Sequence, residues 1–148
     1  MEKLRSTLKR SRAFTLVELL IVIVVLAVLA AIVIPKFADS GIRSKESSLR
    51  SDLSVVRNSI DMFKTDTGAF PSALADLSGA AAPASGKDSA GATKTITATD
   101  YKGPYLAAVP NDPVANAALT YSVTSGSVGK VSATATGNDS AGAAFSTY

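Results

Sequence analysis

The chain has 148 residues, a net charge of +3, and no cysteine or histidine, which leaves room for one modest domain beside an apolar segment. That composition excludes disulfide staples, zinc centres built on Cys or His, and histidine acid–base chemistry. The charge is unevenly placed: Lys3, Arg5, Lys9, Arg10 and Arg12 against Glu2 give the first thirteen residues +4, and the remaining 135 carry −1. The basic balance therefore belongs to a short head, and with no basic patch interleaved with aromatics after Arg12, no nucleic-acid partner is expected.

After the head comes RAFTLVELLIVIVVLAVLAAIVIPKF, in which residues 19–34 are sixteen consecutive apolar residues. About 20 apolar residues suffice to cross a bilayer, and the basic head predicts a single pass with the N-terminus cytoplasmic. A cleaved secretory signal fits less well, because its apolar region is about 7–15 residues long and ends in a small-residue site such as A-x-A. A plain anchor leaves Glu18 unexplained. A charged side chain in hydrocarbon costs roughly 2.5–3.5 kcal/mol, whereas a place at the positive end of the helix dipole offsets only about 0.3–1 kcal/mol.

The block R-A-F-T-L-V-E-L-L-I-V-I, followed by A-I-V-I-P-K-F, resembles the class III signal of type IV prepilins and type II secretion pseudopilins. The resemblance implies that a prepilin peptidase cuts between Ala13 and Phe14 on the cytoplasmic side and that the new Phe14 amine is N-methylated. Ala13 stands where the family usually has Gly, a mild change at a site that needs a small residue. The resemblance further implies subunit assembly through Phe14, Thr15 and Glu18, and a helix kink at Pro35. Cleavage creates an amine with an ordinary pKa of about 7.7–8.0, which supplies Glu18 with an opposite charge. The first and fifth residues of a helix lie one turn apart, so the amine of the same chain and that of a neighbour are both open geometrically. The resemblance favours the neighbour's, with Glu18 setting the axial register of the next subunit.

Beyond Pro35, the residues Ile42, Leu49, Leu53, Val56, Ile60 and Phe63 recur at spacings of 7, 4, 3, 4 and 3, an amphipathic helical stripe. Arg43, Lys45, Glu46, Arg50, Asp52, Arg57 and Asp61 fall largely on other faces. Gly68 reads as the residue that ends the helix, with Pro71 shortly after, and Gly41 as a weak point inside it. The pattern predicts helix from Phe14 to about Thr67, roughly 80 Å at 1.5 Å per residue. Its stripe is expected to pack on the chain's own C-terminal sheet; a coiled-coil partner is the alternative, with only about three heptads available.

FPSALADL then reads as a turn and a short helical turn, and the Ala/Ser/Gly/Thr-rich SGAAAPASGKDSAGATKTITATD as a long surface loop. YKGPYLAAVPNDP should tuck against the core, and ALTYSVTS, GKVSATAT and AAFSTY predict three short strands of an antiparallel meander. DTGAFP and GPYL…VPNDP look most like the major pseudopilins of type II secretion, although Asp112 and Pro113 run into VANAAL where that group carries Trp-Gly-Asn-Pro. That group's acidic calcium loop is thin here: Asn138 and Asp139 alone could supply ligands, whereas calcium takes six to eight oxygens. A hairpin turn at Gly-Asn-Asp is the competing reading, and the expectation is no cofactor.

The resulting organisation is a leader at 1–13, a transmembrane and filament-core helix at 14–34, an amphipathic helix at 35–68, a variable loop region at 69–100 and a small antiparallel sheet at 101–148. The fold class is α+β, the pilin fold that the resemblance implies. Asp61 and Asp66 have no second acidic cluster nearby and the glycines form no phosphate cradle, so no enzyme is expected. The function implied is a structural prepilin that polymerises with identical subunits, most like the major pseudopilin of a type II secretion system. The alternatives are a major type IV pilin for adhesion or twitching motility, or a minor pilin that binds DNA or a surface. The implied partners are the prepilin peptidase, an inner-membrane assembly platform and its ATPase. The implied location is the bacterial inner membrane, then a periplasmic or extracellular filament.

Overall fold

The computed structural model describes residues 14–148, so the leader and Ala13 lie outside the described residues. One helix, α1 (Leu16–Thr67), is followed by a 3-10 turn (Leu74–Leu77), six short strands and a second 3-10 turn (Phe145–Thr147). The chain divides into two compact units, the first running to Ala38 and the second comprising Asp39–Tyr148. In the first unit, Leu16–Ile34 has a mean hydropathy of 3.3 and no buried residue. It is long and apolar enough to cross a membrane, and Pro35 falls within the helix just after it.

The second unit is built on one face of α1. Leu49, Leu53, Val56, Ile60 and Phe63 are buried against Leu77, Ile96, Leu119, Val131 and Phe145. Each such side chain contributes about 1.5–3 kcal/mol of burial. Phe63 also meets the rings of Tyr101 and Tyr105 edge-on at 6.0 and 5.7 Å, so the GPYL segment tucks against the helix as its apolar residues predict. The helix ends as read from the sequence: Gly68 adopts φ +67°, a conformation glycine accepts freely, and donates its N–H to the Lys64 carbonyl at 2.8 Å.

One residue of the predicted stripe, and one beside it, behave differently. Ile42 is 51% exposed, and Glu46, which was assigned to another face, is buried. The cause is polar: Glu46 accepts the Ser140 N–H (2.8 Å) and hydroxyl (2.5 Å). The body therefore meets this turn of the helix through a carboxylate and leaves Ile42 uncovered.

The β structure is three antiparallel pairs in place of one meander. They are β1 (Ser85–Lys87) with β2 (Thr93–Thr95), β3 (Asn111–Asp112) with β4 (Ala117–Ala118), and β5 (Thr120–Tyr121) with β6 (Val131–Ser132). Within 69–100, FPSALADL forms the short helical turn expected of it, and the stretch 78–100, expected as a surface loop, carries β1 and β2. Phe70 and Lys87 exchange backbone hydrogen bonds of 2.7 Å each way, and Leu74, Leu77 and Ile96 anchor the segment in the core. The β5–β6 pair matches the first two predicted strands. The third, AAFSTY, is not a strand. Asp139 accepts the Ala141 and Ala143 N–H groups at 2.9 and 2.7 Å, which diverts the donors a ladder would need. Phe145 then enters the core on a 3-10 turn.

Candidate assembly site

The start of α1 carries the residues to which the resemblance assigns assembly. Thr15 precedes the first helical residue and Glu18 is third within the helix, the Thr-x-x-Glu pattern of a capping box. Glu18 N–H donates to Thr15 Oγ1 at 3.2 Å; in return Glu18 Oε2 accepts the Thr15 N–H at 2.9 Å and the Thr15 hydroxyl at 3.0 Å. Donors that a helix start would leave orphaned are thus satisfied locally. The partners expected for Glu18 are a Phe14 amine or the helix dipole and do not include this box, although its Thr-x-x-Glu signature is present in the sequence.

The box uses only part of the carboxylate. Among the described residues, Glu18 Oε1 accepts no hydrogen bond. A threonine cap is worth about 0.5–2 kcal/mol, less than the roughly 2.5–3.5 kcal/mol that the charge costs in hydrocarbon. Phe14 stands just before the cap, outside the helix, with 77% of its surface exposed. The structure therefore joins Thr15 to Glu18 and places Phe14 beside them in the chain, with Ala13 outside the described residues.

A second carboxylate, Asp112, organises the body and escaped the sequence reading, which saw only a corner at VPNDP. It is fully buried. Its Oδ1 accepts the Val114 and Ala115 N–H groups at 2.8 and 3.0 Å, and its Oδ2 those of Thr134 and Ala135 at 2.9 and 2.8 Å. Burial raises its pKa, but the four N–H donors outweigh burial and hold the carboxyl below its usual range. The local signal was Asp-Pro, where an Asx turn is favoured; the Thr134 and Ala135 partners lie 22 and 23 residues away.

Several further polar side chains are tied to the body. Asp66 accepts the Tyr105 hydroxyl at 2.8 Å. Lys94 donates to the Gly68 carbonyl at 2.7 Å, Lys102 to the Thr99 carbonyl at 2.8 Å and Lys87 to the Thr93 hydroxyl at 3.2 Å. Among the described residues, no three Asp or Glu side chains gather into a group that could hold a metal ion.

Comparison with known proteins adds to this geometry. Residues 8–34 match the prokaryotic N-terminal methylation motif, and residues 36–145 match type II secretion system protein G. The chain is 30% identical to the type II secretion system core protein G of Klebsiella pneumoniae, over 72% of this chain and 71% of that protein. It is 36% identical to the core protein G of Pectobacterium carotovorum over 43% of this chain and 40% of that protein. It is also 48% identical to the type IV major pilin protein PilA of Myxococcus xanthus, over only 30% of this chain and 20% of that protein. No solved structure matches the chain.

Proposed function

The chain belongs to the type II secretion system protein G family, and on that premise we propose how this pseudopilin is processed and assembled. A prepilin peptidase cuts the inner-membrane precursor between Ala13 and Phe14, and the new Phe14 amine is methylated. The basic head stays cytoplasmic and the body is periplasmic. Identical subunits, driven by an inner-membrane platform and its ATPase, then join into a short filament that exports folded proteins. The family is structural, and the chain's role is that of a subunit and not of an enzyme. The type IV pilin alternative is not favoured, since the protein G match runs through the body to residue 145 while the PilA likeness covers 30% of the chain.

The observation that carries the assembly mechanism is the half-committed carboxylate of Glu18 at the head of an unburied apolar helix. With Oε2 held by Thr15, Oε1 faces the cost of hydrocarbon until a cation meets it. Phe14 lies ahead of the cap and outside the first turn, which supports a neighbour's Phe14 amine as that cation. Assembly then relieves the charge and fixes axial register, while the Thr15 cap keeps the carboxylate aimed.

Glu18→Ala is expected to be inserted and to lose the thirteen-residue leader, read by mass spectrometry of the membrane fraction, yet to form no filaments by electron microscopy. Normal filaments from that variant would sink the register mechanism.

A further inference from the structure

The family resemblance carries a calcium loop, and the residues that would serve it here are committed to other donors. An ionised carboxylate offers about four lone-pair sites. Those of Asp139 are filled: Oδ1 by the Ala141 and Ala143 N–H groups at 2.9 and 2.7 Å, and Oδ2 by the Arg50 guanidinium at 2.5 Å and the Tyr148 hydroxyl. Calcium would need Oδ2 at about 2.3–2.6 Å, the distance at which the arginine nitrogen already sits. Both are cations, so one excludes the other. Glu46, one turn before Arg50 on α1, spends its two oxygens on Ser140. Arg43 lines the same groove beside Asp139 and adds a further positive charge. Asn138 is exposed and pairs with Ala144 through its backbone.

We propose that Arg50 takes the place of a divalent cation in this chain. It clasps Asp139 and Tyr148, with Glu46 holding Ser140, and so locks residues 138–148 onto α1 without calcium. The clasp is anchored on both sides. The Arg50 guanidinium lies 4.7 Å from the centre of the Tyr148 ring, and that ring packs edge-on at 5.6 Å against Phe145, which is buried in the core. The inference goes beyond the assembly mechanism and does not depend on it.

Calcium that bound only the folded state would raise the unfolding temperature by mass action, so the full-length chain in detergent micelles reports the outcome directly. Its midpoint is expected to be the same in millimolar calcium chloride and in EGTA. Arg50→Gln and Tyr148→Phe are each expected to lower it by a few degrees, equally in both buffers. A calcium-dependent rise for the parent chain would overturn the proposal. So would an Arg50→Gln variant as stable as the parent, because the clasp would then hold nothing.

Discussion

Asp112 shows how a single side chain can organise strands that are only two residues long. Four backbone N–H groups from both sides of β4, β5 and β6 converge on its two oxygens. Asp112→Asn keeps the shape but turns one oxygen into an NH₂ group facing two of those donors. Two buried donors left unsatisfied at about 1–3 kcal/mol each predict a loss of roughly 3 kcal/mol, measured by urea unfolding of the full chain in micelles. A loss under about 0.5 kcal/mol, typical of a surface change, would show that the four bonds do not hold the body. At the same scale, the Thr-x-x-Glu box was readable from four consecutive residues, whereas the role of Asp112 was not. Its turn is local, but its partners in β6 and beyond carry no sequence mark.

At the scale of elements, α1 was the most legible part of the chain. Its stripe of Leu49, Leu53, Val56, Ile60 and Phe63 follows the helical period and is buried throughout, and Gly68 ends it for a reason of backbone geometry. Where the stripe failed, it failed in contact with a distant loop. The period alone gives Ile42 the same standing as Leu53, and only the loop carrying Ser140 separates them. Leu53→Ala is therefore expected to cost about 2–5 kcal/mol, while Ile42→Ala should change stability by no more than about 0.5 kcal/mol. Unfolding curves of the two variants side by side test this ranking, and equal losses would refute it. The strands were the least legible elements, because Ala, Ser and Thr alternate too weakly to fix a register. Their pairing is set by Asp112, by Asp139 and by glycines such as Gly129. That residue, at φ +83°, lies where a Cβ would sit 2.4 Å from the Phe70 ring.

For the whole molecule, the buried carboxylates set the acid limit. Asp112 is held below its usual pKa by backbone N–H donors that outweigh burial. Asp139 is held low chiefly by the Tyr148 hydroxyl, against burial, and then by the Ala143 and Ala141 N–H groups and by Arg50. Groups whose folded pKa is depressed stabilise the fold above their unfolded value, near 3.9, and that stability is lost as pH falls through the folded values. Their contribution should be constant above about pH 5 and fall steeply below about pH 4. Asp112→Asn should flatten that fall, as thermal midpoints across an acid series would show; an unchanged acid slope in the variant would contradict the assignment. The sequence by itself determined the apolar run, the helix with its stripe and cap, and the prepilin-like signal, because each is written in residues within a turn or two of one another. Only the tertiary structure decided that Glu46 is buried, that Arg50 closes on Asp139 and that the last predicted strand is a turn. Those contacts join residues 89 and 94 positions apart, and no local pattern of spacing or propensity can specify which distant donor a carboxylate will meet.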